Sequence, residues 1–302
     1  METVTKQDII EEYMSRLDDI PTLPYVVLQI FDKIHVADPK INELADLIMM
    51  DQVLTTKMIR LVNSAYWGLN RKITSIRETI VYLGLREITN LVYSVTLTNT
   101  FERDAPLMKR VRFWEHSFGC ALFSRLIASR VGYPDVELAY LAGLLHDIGE
   151  SIIAVHLYKD FERVVELVLV QKTTFYNAEE KVLCFNHTDF GPWLVEKWLL
   201  PEQLLDVIAS HHTIEKAEDQ SLVGIVRLAD LICLHNKLDF GHPEGEKLNS
   251  EIAATWRSLS ESYPKLAKEN IKSFLKEFQE HVETVRETVK TVYKIEQEEE
   301  PE

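Results

Sequence analysis

The 302-residue sequence predicts an all-α protein. Three observations carry that expectation. Apolar residues recur at steps of three and four along most of the chain, the period of one helix face. Alternating strand patterns between turn dipeptides are nearly absent. Glycine and proline, ten of each, fall between the periodic runs and mark their ends. An apolar share of 46% supplies enough core for one large domain or two modest ones.

Taken in order, residues 1–18 read as an acidic, amphipathic helical extension that Pro21 and Pro24 punctuate. It lacks the basic start and apolar core of a signal peptide. Val26, Val27, Ile30, Phe31 and Ile34 share one stripe of the next helix. Asn42 is expected to cap a helix carrying Leu44, Ala45, Ile48 and Met49, and Asp51 to cap the one carrying Leu54, Met58, Ile59 and Val62. Gly68 reads as a turn, Ser75 as the start of a helix that stops at Gly84, and Leu85–Phe101 as one more helix. These short helices make a first lobe, 19–105. The second lobe, 106–240, opens with a helix from Phe113 to Gly132. Asp135–Leu145 is apolar nearly all round, hence central. Further helices are expected over Phe161–Lys172, Ala178–Phe185, Phe190–Leu199, Glu202–His211 and Gln220–His235. A loop, Asn236–Gly245, sets off a C-terminal helical extension, 241–302, with an acidic tail. Within it Ile271, Leu275, Phe278, Val282, Val285, Val289 and Val292 form a seam of about three heptads. Such a helix either packs on its own chain or pairs two copies into a homodimer.

The formal charge of -15 argues against nucleic acid and against an anionic membrane surface as partners. Cys120, Cys184 and Cys233 lie far apart and read as reduced, core-filling thiols. The longest apolar runs, such as Val164–Val170, are too short to span a bilayer, and the expected location is cytoplasmic.

The stretch LAGLLHDIGE, Leu141–Glu150, ends a greasy helix on an imidazole and a carboxylate, His146 and Asp147. His116, His187 and the pair His211–His212 sit on other helices, and Asp230 interrupts the apolar face of IVRLADLICL. A bare carboxylate there would cost several kcal/mol unless paired or bound to a cation. Imidazole and carboxylate donors together suit one or two divalent ions of Mn, Fe, Ni or Zn, and a carboxylate such as Asp147 can bridge two. The alternative is a set of structural pairs, with Asp147 and Asp230 bonded to His116, His146 or Arg227. His35, His156, His235, His242 and His281 read as surface or loop residues, and Trp193 and Trp198 as core anchors. No phosphate loop, nucleophile elbow or CxxC motif is present.

Several motifs in order resemble the HDOD domain, a relative of the HD and HD-GYP phosphohydrolases. They are IPTLP (Ile20–Pro24), DQVLTTKMIRLVNSA (Asp51–Ala65), ITSIRETIVYLG (Ile73–Gly84), FWEHS (Phe113–Ser117), LAGLLHDIGE, NHTDFGPWLVEKWLLP (Asn186–Pro201) and SHH (Ser210–His212). The resemblance runs from about Leu17 to His235. It implies an all-helical, two-lobed module of bacterial signalling and regulation, with an HD-like core in the second lobe. It further implies one metal site from His116, His146, Asp147 and Asp230, with Asp147 bridging to a second ion held by His187, His211 and His212. The departures are specific. Glu150 stands where HD-GYP phosphodiesterases place a lysine, no GYP sequence follows the double histidine, and Arg112 replaces a carboxylate one turn before His116. Of the cations, Arg227 is the best-placed candidate for a phosphate and Arg112 the second.

These readings lead to a regulatory module that binds a protein partner or ligand through, or supported by, a His/Asp metal site. The alternative is a metal-dependent phosphohydrolase acting on a phosphate-containing small molecule. A further alternative is an iron-dependent oxygenase of HD type.

Overall fold

The computed structural model describes residues 5–15, 25–34, 40–100, 110–198, 200–239 and 247–293, which contain helices and no strand. In chain order these are α1 (Lys6–Ser15), α2 (Tyr25–Ile34), α3 (Ile41–Met49), α4 (Gln52–Val62), α5 (Ile76–Leu83), α6 (Leu85–Thr100), α7 (Arg110–Val131), α8 (Val136–Leu145) and α9 (Ile148–His156). They continue as α10 (Tyr158–Gln171), α11 (Phe175–Leu183), α12 (His187–Lys197), α13 (Gln203–Ser210), α14 (Gln220–His235), α15 (Leu248–Ser262), α16 (Ile271–Gln279) and α17 (Val282–Tyr293). Pro21, Pro24, His35, Phe101, Leu199, His242 and the acidic tail lie outside the described residues.

The chain divides into two compact units. One comprises Met1–Thr22 and Phe101–Phe278, the other Leu23–Thr100 and Gln279–Glu302. The smaller unit is built from α2–α6 and α17. Asp51 caps α4 by accepting from the N–H groups of Val53 and Leu54, both at 2.9 Å. Ser75 caps α5 by accepting from Glu78 N–H, and Glu78 accepts in return from Thr74 N–H, close to a capping box. Asn63 ties the loop between them. Its Oδ1 accepts from Ile73 N–H at 2.9 Å and its Nδ2 donates to Ile59 and Ile73 carbonyls. Asn42 does not cap α3; the cap position is Lys40, which makes no side-chain cap bond, and Asn42 lies inside the first turn.

The heptad seam is not one rod. The helix breaks after Gln279, so Phe278 closes α16 in the larger unit while Val282, Val285 and Val289 of α17 are buried in the smaller one. There α17 packs on α4 and the turn at 65–67. Four of the seam's apolar residues, Phe278, Val282, Val285 and Val289, are thus buried within their own chain, while Ile271 and Leu275 are half-buried.

In the larger unit α8 is the core. Ala139 through Leu145 are all buried, between α7 and α14. Asp135 caps α8 by accepting from Leu138 N–H. Val136–His156 is long and apolar enough to cross a membrane, contrary to the expectation that no run is; it is two helices, and 89% of its apolar window is buried inside the protein. Trp198 is fully buried, whereas Trp193 is half-buried under the Lys197 ammonium, 4.7 Å from its ring centroid. Cys184 is exposed in a left-handed helix-end position, φ 64°, so only Cys120 and Cys233 fill core.

Candidate metal centre

His146 and Asp147 do not end one helix; they join two. His146, in helical conformation, is the C-cap of α8, and Asp147 is the N-cap of α9. Two glycines flank the pair and allow other backbones to come close. A Cβ on Gly143 would lie 2.5 Å from the Cys120 carbonyl oxygen, and one on Gly149 would lie 2.1 Å from that of His187. The first contact seats α7, with His116, against α8. The second seats the start of α12, with His187, against α9.

Around this junction the donors converge. Asp147 Oδ2 lies 3.1 Å from His146 Nε2 and 3.4 Å from His116 Nε2. Asp147 Oδ1 lies 3.2 Å from His211 Nε2 and 3.6 Å from His187 Nε2. Asp230 Oδ1, from α14, is 3.5 Å from His116 Nε2. His212 Nε2 is 3.1 Å from His187 Nε2. All seven residues read as ligands from the sequence thus meet at one locus. Two donor groups can each surround an ion: His116, Cys120, His146 and Asp230, and Asp147, His187, His211 and His212, with donor atoms mutually within 4.8 Å.

The rings are oriented from behind. Nδ1–H of His116 donates to the Leu238 carbonyl, and that of His146 to the Gly143 carbonyl, both at 2.8 Å. His211 Nδ1–H donates to the carbonyls of Val207 and Ile208, and His187 Nδ1–H to Glu179 Oε2 at 2.7 Å. With the proton on Nδ1, each of these four rings presents an Nε2 lone pair to the junction. His212 differs. Its Nδ1 accepts from the Arg227 guanidinium at 3.1 Å, which leaves the proton on Nε2.

Lone pairs therefore face carboxylate oxygens, and His146 Nε2 is buried with no hydrogen-bond partner. Two further acids deepen the negative field. Glu150 and Glu179 are buried and lie with His187 in a third group of possible donors. Burial, then the charges of Glu179, Asp147 and Asp230, push the Glu150 carboxyl well above the ordinary range. Asp147 is held well below it: burial works upward, but the His146 charge and the close approach of the His116, His146 and His211 rings outweigh it. Burial works downward on His187, yet the charge and hydrogen bond of Glu179 and the charges of Asp147 and Asp230 raise it to about 9. Burial, against Asp147 and with His146 and His187, brings His211 down to about 4.

Arg227 donates to Asp230 Oδ2 at 2.7 Å and to Glu251 Oε2 of α15 at 2.6 Å, so the best-placed cation is already engaged. Arg112 is half-buried on α7, one turn before His116. The ring of Tyr176 stands 4.8 Å from that of His212. His235 is exposed, and His156 and His281 are half-buried.

Sequence reading missed Glu179 and Cys120. Both carried a signal. Glu179 shares the buried face of α11 with Phe175, Ala178 and Leu183, a carboxylate in an apolar stripe as Asp230 is. Cys120 follows His116 by one turn.

The sequence profile of the HDOD domain matches residues 20–214. An HDOD domain protein of unknown function from Geobacter sulfurreducens is 32% identical; the match covers 95% of this chain and 98% of that one, with a TM-score of 0.81. A Shewanella amazonensis SB2B protein with a provisional phosphohydrolase name shares the fold at 19% identity and a TM-score of 0.73, over 93% of this chain and 97% of that one. An uncharacterized protein of Treponema pallidum (strain Nichols) is 27% identical over 219 residues, which are 72% of this chain and 42% of that protein. The chain thus matches less than half the length of that relative.

Proposed function

The chain belongs to the HDOD domain family, and from that premise we propose that it is a metal-holding regulatory module that acts by binding a protein or small-molecule partner. One observation carries the metal: the Nε2 atoms of His116, His146, His187 and His211 all lie within 3.6 Å of a carboxylate oxygen of Asp147, with Asp230 Oδ1 beside His116. A proton on His187 serves one of these atoms; a cation serves all of them. The residues fit one or two divalent transition metals. His116, His146, Asp147 and Asp230 would hold one, and Asp147, His187 and His211, with His212, the other. Bound there, the metal would supply Lewis acidity toward a phosphate ester and would tie α7, the α8–α9 junction, α12, α13 and α14 together.

The regulatory reading rests on charge. Phosphate chemistry needs cations near the reacting oxygens. Here Glu150 and Glu179 line the locus, and Arg227 is held by Asp230 and Glu251. The second reading, a metal-dependent phosphohydrolase, is supported by Asp147, whose two oxygens face separate donor sets as a bridge between two ions requires. The test is metal analysis of the chain purified without added metal, followed by a screen with bis-p-nitrophenyl phosphate under Mn or Fe. Retained metal without turnover is the expected result. Turnover abolished by Asp147→Ala but unaffected by Glu150→Ala reverses the order of the two readings.

A further inference from the structure

We infer that Cys120 is a thiolate ligand of the ion held by His116, His146 and Asp230, which makes this a site for a thiophilic metal such as zinc, iron or cobalt. The inference builds on the metal reading above and specifies the metal's class. Cys120 lies one turn after His116 on α7 and is wholly buried. Its Sγ is 3.5 Å from His116 Nε2, while the ring's Nδ1 faces the Leu238 carbonyl. Sγ, His116, His146 and Asp230 offer donor atoms that all lie within 4.8 Å of one another. The orphaned, buried His146 Nε2 belongs to the same group and marks it as a place for a ligand.

The sulfur's place is set by backbone. Gly143 abuts the Cys120 carbonyl so closely that α7 and α8 share no slack at this level. Cys233, one turn after Asp230 on α14, is a hydrogen-bond partner of the Cys120 thiol, and neither is in a disulfide. On ligation an S–metal bond forms, the S–H proton leaves to solvent, and the ion sheds bound water. A sulfur donor beside imidazoles disfavours Mg, Ca and Mn, which prefer oxygen, and favours zinc, iron and cobalt.

The test uses the full chain loaded with cobalt(II). The native protein is expected to show visible d–d bands of bound cobalt and a near-ultraviolet sulfur-to-cobalt charge-transfer band. Cys120→Ser should lose the second and keep the first; Cys184→Ser and Cys233→Ser should keep both. Native d–d bands with no charge-transfer band overturn the role of Cys120 and leave the metal centre standing. Failure to bind cobalt overturns the centre and the inference together. Should Cys120→Ser not fold, X-ray absorption of the zinc-loaded native chain decides the matter. A sulfur neighbour at about 2.3 Å supports the inference, and only nitrogen and oxygen at about 2.0–2.1 Å overturn it.

Discussion

The two donor sets share Asp147 but are built differently. The set of His116, His146 and Asp230 is buried, and both of its rings are pinned by backbone carbonyls. In the set of His187, His211 and His212 backbone carbonyls hold His211 alone; Glu179 orients His187, and Arg227 faces the half-buried His212. Backbone support moves only with the fold, whereas side-chain support responds to charge and to partners. The first set is thus suited to retain an ion and the second to exchange one.

Asp147 is the one residue whose loss should erase this contrast. Asp147→Asn takes a charged bridge from both sets, and metal bound per chain, measured by elemental analysis, should fall to near zero. Retention of one tightly bound ion would mean that the first set stands without the bridge.

The two glycines separate the sets next. Gly149→Ala places a methyl group 2.1 Å from the His187 carbonyl, and Gly143→Ala places one 2.5 Å from that of Cys120. Each neighbour is backbone and cannot swing away. Each substitution should cost about 3 kcal/mol in chemical denaturation. Among variants that remain folded, Gly149→Ala should weaken the ion at the His187 set and Gly143→Ala the ion at the His116 set. Identical effects on both ions would break the division.

Much of this was legible in the sequence, for identifiable reasons. The cap at Asp51 and the helix starts at Ser75 and Asp135 were readable because each side chain accepts from nearby N–H groups, a local interaction that composition reveals. The seven candidate ligands stood out because each is polar in an apolar or helical setting. What was missed depends on contacts distant in sequence. No glycine or proline stop separates α8 from α9, so the break at His146–Asp147 reads as a helix end. Helix α15 buries only Ile252, Thr255 and Leu259, too sparse a stripe to announce itself, yet it brings Glu251 to Arg227. Glu150 read as a lysine's replacement; only the fold reveals that it is buried beside Glu179.

Glu179 offers a finer cut. Glu179→Gln keeps the shape but weakens the hold on His187 Nδ1–H. Affinity for the ion at the second set should fall about 10–100-fold, with the first set unchanged, in a chelator competition titration. The metal-free chain should also carry the contrast in its pH profile. His187 has a folded pKa raised to about 9, so its contribution to stability is full below about 6.5 and is lost as pH rises through 9. His211 is lowered to about 4, so its contribution is present above about 6.5 and is lost as pH falls through 4. For this pair, stability of the chelator-treated protein should peak near pH 6.5. Glu179→Gln should flatten the alkaline limb in a series of melting curves. An unchanged limb would detach Glu179 from the titration of His187.

The smallest effect is expected at His212. Arg227 can only donate, so while it faces Nδ1 the ring keeps its proton on Nε2, the nitrogen turned toward the second set. Ligation by His212 then requires that Arg227 leave Asp230 and Glu251, or that the ring proton be lost elsewhere. His212→Ala should weaken the second ion less than about tenfold, whereas His211→Ala, which removes a ring already oriented by two carbonyls, should cost at least as much as Glu179→Gln. Glu251→Ala sharpens the point. If that carboxylate helps keep Arg227 in place, its removal should make the His212→Ala penalty larger in the double variant than in the single one. Equal penalties at His211 and His212 in the native background would show that Arg227 exerts no control over its neighbouring ring.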